Sequence, residues 1–89
     1  MIDVRFTSNL QRHVDCPDVQ ASGGTVREVL ASVFAENQTL GTYVLDEQGA
    51  LRSHMVVFVN GRAVTDRVLL SDPVPDQAEV YVMQALSGG

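Results

Sequence analysis

The chain has 89 residues, enough for one domain, and its 45% hydrophobic and 19% charged content is that of a globular protein rather than a disordered one. A formal net charge of −5 repels nucleic-acid phosphates and suits a basic protein surface, so neither DNA nor RNA is an expected partner. The lone cysteine, Cys16, forms no internal disulfide and no four-thiolate metal or iron–sulfur site, there is no basic, apolar leader at residues 1–6, and no apolar run nears the ~20 residues of a membrane span; the expectation is a cytoplasmic protein with no membrane partner.

In chain order, Ile2, Val4 and Phe6 alternate with Asp3, Arg5 and Thr7, which predicts a half-buried strand. Ser8-Asn9 reads as a turn. A second strand is expected within Arg12 to Ala21, at an edge or with a bulge because Pro17 interrupts it, paired antiparallel with the first. Gly23-Gly24 breaks the chain. Thr25 and Glu28 then form a capping box, and Val26, Val29, Leu30, Val33 and Phe34 make one apolar face of a helix that ends near Asn37. Residues 38–54 read as a loop with room for a short hairpin about Asp46-Glu47-Gln48-Gly49. Met55 to Val59 is an apolar run of strand length, and Asn60-Gly61 predicts a type I′ turn into a short strand over Arg62-Ala63-Val64. After the Asp72-Pro73 turn, Glu79 to Met83 alternates, with Val80 and Val82 on one face and Tyr81 and Met83 on the other. Residues 1–84 form the domain and 85–89 a flexible tail.

One sheet covered by one helix is an α+β solution. With the first and last strands parallel neighbours, this order predicts a β-grasp (ubiquitin-like) fold: a mixed sheet of about four to five strands packed on one main helix.

The tail ends in Gly88-Gly89. Without Cβ atoms, such an end can enter a narrow tunnel in another protein and present a free carboxylate. A carboxylate becomes a good electrophile only as a mixed anhydride, and the chain has no phosphate-cradling loop of its own, so ATP chemistry must come from a partner. These features together resemble the MoaD/ThiS family of ubiquitin-like sulfur carriers. The resemblance runs through Ile2 to Phe6, the helix after Thr25, Val57-Phe58-Val59-Asn60-Gly61, Asp72-Pro73, Glu79-Val80-Tyr81-Val82 and Gly88-Gly89. It implies a carrier with no catalytic site and no bound cofactor. A ubiquitin-activating-type adenylyltransferase of the MoeB/ThiF kind would use ATP to adenylate Gly89, with Gly88 beside it. The resulting thiocarboxylate would give sulfur to a biosynthetic enzyme in cofactor, cysteine or tRNA-thiolation synthesis. Gln84-Ala85-Leu86-Ser87 stands where many members carry a proline-rich run, which argues against molybdopterin synthase in particular. The long 38–54 connection resembles the larger carriers, such as those feeding cysteine synthesis.

The expected docking face for the activating enzyme centres on Tyr81 and Met83. Arg5 and Thr7 lie on one side and either Val56/Phe58 or Val57/Val59 on the other, since periodicity leaves the phase of that strand open; Phe58 is the candidate named here. Leu86 is a candidate tail anchor. Arg62 and Arg67 are read as a solvated face, Cys16 as a small hydrophobe, and His13 and His54 as surface or loop residues. The rival functions are a protein modifier joined through Gly89 to target lysines and a non-catalytic binding module. All six basic residues are Arg, so no lysine-linked self-chain forms, which leans toward the carrier.

Overall fold

The computed structural model describes residues 1–12 and 14–84. The first strand, β1 (Ile2–Phe6), buries Ile2, Val4 and Phe6, as its alternation predicts. Ser8-Asn9 is more than a turn. It opens a one-turn helix, α1 (Ser8–Gln11), because Leu10 is fully buried at the end of the sheet and Leu10 N and Gln11 N both donate to Thr7 O. The second strand is shorter than expected: only Val19–Ala21 (β2) pairs with β1, antiparallel. Pro17 has no N–H for a ladder, and the carbonyl of Asp15 accepts from the Asn37 side chain at 2.7 Å, so Val14 and Cys16 enter the core from irregular backbone.

The main helix, α2 (Val26–Glu36), buries the five predicted apolar residues. Its cap departs from the expected box by one residue. Thr25 Oγ1 accepts from Glu28 N at 3.2 Å, but Glu28 Oε1 accepts from Gly24 N, at 2.7 Å, rather than from Thr25. Residues 38–54, expected as a loop, hold a third helix, α3 (Gln38–Val44). Asn37 caps it, accepting from Leu40 N at 3.2 Å, while Leu40 and Val44 are its buried side. The hairpin expected about residues 46–49 survives as a single antiparallel bridge, Leu45↔Leu51, and Asp46 Oδ1 holds its turn by accepting from Gln48 N and Ala50 N.

Met55–Val59 forms β3, Arg62–Ala63 forms β4, and Glu79–Gln84 forms β5. The turn between β3 and β4 has positive φ at both Asn60 (49°) and Gly61 (83°), the signature of type I′. The sheet order is β2-β1-β5-β3-β4, with β5 parallel to β1 and antiparallel to β3. The last strand is thus central. Val4, Val57, Val80 and Val82, all fully buried, pack in one core with the α2 residues Val26, Val29 and Leu30. The opposite sheet face carries the candidate site.

Candidate functional site

The phase of β3 settles what flanks β5. Met55 and Val57 are fully buried, so Val56 and Phe58 lie on the open face. Register then fixes two rows. Arg5, Tyr81 and Phe58 lie side by side across β1, β5 and β3, and Met83 faces Val56 in the next row. Tyr81 and Met83 are each 36% exposed, while Val56 and Phe58 are half-buried beside them. The structure therefore brings together Arg5, Phe58, Tyr81 and Met83. It adds Val56, which alternation along β3 left as one of two choices. Thr7 does not join the patch as an open residue: it is half-buried at the end of β1.

Arg5 Nε lies 3.6 Å from Glu79 Oε2, with both side chains about half exposed (53% and 51%). Such a pair is screened by water and contributes little to stability, so the guanidinium can exchange Glu79 for a partner's carboxylate at small cost. The other candidate cation, Arg67, is not a solvated residue. Its Nη2 donates to the carbonyls of Arg52 and Met55 at 2.8 and 2.7 Å, so it closes the backbone ahead of β3. Arg62 is exposed on β4 and lines a cleft with Asp72 and Pro73 at the far sheet edge.

At the end of β5, Thr7 Oγ1 and Gln84 Oε1 are buried without a hydrogen-bond partner among the described residues. Buried polar atoms of this kind cost about 1–3 kcal/mol each until they are paired. They sit where the strand hands over to residues 85–89. Leu86, Gly88 and Gly89 lie outside the described residues, as does His13. Cys16 is buried, and that burial, with Asp15 and Asp18 adding to it, pushes its thiol pKa up, so it stays a neutral core group. No group of three His, Cys, Asp or Glu side chains able to hold a metal occurs among the described residues, and no described helix is long and apolar enough to cross a membrane.

The sequence model of the ThiS family matches residues 5–89. The chain belongs to the ThiS family. As a family member it is a ubiquitin-like sulfur carrier or modifier, and the family is one of small carrier proteins. Solved structures similar to this ThiS-family chain include CysO of Amycolatopsis orientalis, determined in complex with BexX. That match has a TM-score of 0.82 at 24% identity and covers 100% of both chains. CysO of Mycobacterium tuberculosis gives a TM-score of 0.80 at 22% identity, over 97% of this chain and 100% of the other. The small archaeal modifier protein 1 of Methanosarcina acetivorans gives 0.80 at 21% identity, over 99% and 95%. At these identities the likeness establishes the β-grasp fold of the ThiS-family chain and nothing finer. No curated protein sequence matches it.

Proposed function

We propose that this ThiS-family chain carries sulfur on its C-terminal glycine. The Gly89 carboxylate oxygen attacks the α-phosphate of ATP in a ubiquitin-activating-type partner, and pyrophosphate leaves. Sulfide (HS⁻) then adds to the acyl carbon, the bond from that carbon to the phosphate oxygen breaks, and AMP leaves while the sulfur's proton goes to solvent. The thiocarboxylate delivers its sulfur to a biosynthetic enzyme. In this reading Tyr81, Met83, Phe58 and Arg5 form the face that the activating enzyme grips, Leu86 anchors the tail, and Gly88 lets the backbone pass a narrow channel.

The observation that carries the reading is the placement of β5. The central strand, paired on both sides, bears the exposed Tyr81 and Met83, and Gly89 is the fifth residue after its last, Gln84. A partner gripping the open face therefore holds the strand that directly precedes the terminal residues in the chain. The family match through residue 89 supports the same reading.

The test is incubation with ATP and a MoeB/ThiF-like enzyme from the same host, read by intact mass. An AMP adduct on the full chain, absent from a chain lacking Gly89, supports the proposal. Equal adducts on both chains, or none on either while the enzyme activates its own known substrate, overturn it. Isopeptide-linked adducts on other proteins in the host would show a modifier instead.

A further inference from the structure

A second surface lies at the outer edge of β2, away from the open face. Asp3 N donates to Ala78 O and Thr7 N to Val82 O, both at 3.1 Å, so β1 turns the backbone of its odd-numbered residues toward β5. The even-numbered ones face β2, which makes Ile2↔Ala21 and Val4↔Val19 the pairs that exchange bonds. The N–H and C=O of Gln20, between them, point out from the sheet, and β2 is its outermost strand among the described residues. Beside this edge, between β2 and α2, runs a cleft of about 450 Å³. Val19, Ala21, Val33 and Leu40 give it an apolar lining, with Asp15 and Glu36 as its acidic members and no basic side chain among the described residues. The hydrogen bond from Asn37 Nδ2 to Asp15 O holds one wall in place. On the other side of the strand, Asp3 and Asp18 line a second hollow with Gln20 and the cationic Arg5; Asp3 Oδ1 accepts from Gln20 Nε2 at 3.0 Å, and Arg5 is turned to Glu79.

We propose that this edge takes one extended segment of a partner protein in which β-branched residues alternate with arginine or lysine. An added strand would bond to Gln20 N–H and C=O. Its alternate side chains would then point to opposite sides. The apolar set would drop into the cleft over Val19 and Val33. The basic set would meet Asp18 and Asp3 on the side opposite Asp15 and Glu36, which rim the cleft. The same four carboxylates argue against a second copy of this chain, which would bring a matching set of negative charges to the edge. The opposite edge is a poorer acceptor. Its strand, β4, has only two residues.

The probe is a short synthetic peptide alternating valine and arginine, titrated into the full chain and followed by amide NMR and calorimetry. The Gln20 amide should exchange with solvent about tenfold more slowly on saturation, the cost of opening one new hydrogen bond. N-methylation at the peptide's central residue should weaken binding by about the same factor. The Asp18→Arg/Glu36→Arg variant should bind on the order of tenfold more weakly with an unchanged thermal midpoint, and a valine–glutamate peptide should not bind. A chain lacking Gly88-Gly89 should bind as well as the full one, which separates this site from the carrier chemistry. Absence of binding at millimolar peptide overturns the proposal. So does binding indifferent to N-methylation, shifts confined to Tyr81 and Met83, or a dimer paired through β2 in sedimentation.

Discussion

Asn60 and Glu79 hold each other through two hydrogen bonds of equal length. Asn60 N donates to Glu79 O, and Asn60 Oδ1 accepts from Glu79 N, both at 2.9 Å. The pair ties the β3–β4 turn to the first residue of the central strand, and so sets where β5 begins and which of its residues face outward. Asn60 is suited to this because it tolerates the left-handed φ of 49° while offering a side-chain acceptor. Asn60→Gly keeps the backbone bond and the φ but loses the acceptor, and should destabilise by about 1 kcal/mol. Asn60→Ala adds the left-handed penalty, for a total of about 2–3 kcal/mol. Urea denaturation of the two variants checks the order; an alanine variant as stable as the glycine one would remove the backbone argument.

The open face should be separable from the fold. Tyr81 and Met83 are each 36% exposed and add little to the core, whereas their strand neighbours Val80 and Val82 are fully buried. Tyr81→Ala/Met83→Glu should therefore shift the thermal midpoint by only a few degrees, since surface substitutions usually stay within about 0.5 kcal/mol each. Adenylation by the activating enzyme should fall by about tenfold to a hundredfold, the range of an interface anchor. Val82→Ala, by contrast, should cost about 1–3 kcal/mol of stability. If the double variant is adenylated at the wild-type rate, this face is not where the enzyme docks.

How legible each element is in the sequence follows from how far it depends on distant partners. The period-two alternation of Ile2 to Phe6 and of Glu79 to Met83, the five-residue face of α2 and the Asn60-Gly61 turn are local, and all were legible. The helix α3 was not. It shows only Leu40 and Val44 as an apolar pair, and Thr39, Gly41 and Thr42 are poor helix formers; its existence rests on the Asn37 cap and on packing against α2. The same holds for α1, whose single anchor is Leu10. At the site, the residues Tyr81 and Met83 could be read from alternation, but the choice of Val56 and Phe58 over Val57 and Val59 needed the core. The role of Arg67 was also hidden, because the two carbonyls it serves come from residues 12 and 15 positions away.

Two adjacent glycines ahead of α2 should respond differently to a methyl group. A Cβ at Gly23 would lie 2.8 Å from both Glu28 Cβ and Val29 N, inside the space of the helix start. At Gly24 the nearest atom would be Glu28 Oε1, at 3.5 Å, an ordinary contact. Gly23→Ala should thus cost about 2–4 kcal/mol, while Gly24→Ala stays within about 0.5 kcal/mol. Thermal melts of the two single variants test this, and equal losses would contradict the crowding at Gly23.

Acid should weaken the loop that carries Asp66 and Asp72. Asp66 accepts from the Ser71 hydroxyl and from the amides of Leu69, Ser71 and Val68, which lowers its carboxyl pKa from 3.8 to about 2. Asp72 is also lowered, by the amides of Thr65 and Asp66 and by the Thr65 hydroxyl. A carboxylate whose pKa is depressed on folding contributes stability that is present above its unfolded value and lost as pH falls through its folded one. For Asp66 the loss runs from about pH 4 to about pH 2. The wild-type urea midpoint should therefore fall over that interval. Asp66→Asn, which cannot ionise, should be less stable than wild type at pH 7, show a shallower fall, and meet the wild-type curve near pH 2. Parallel curves for the two proteins across the interval would mean that these hydrogen bonds do not favour the ionised form.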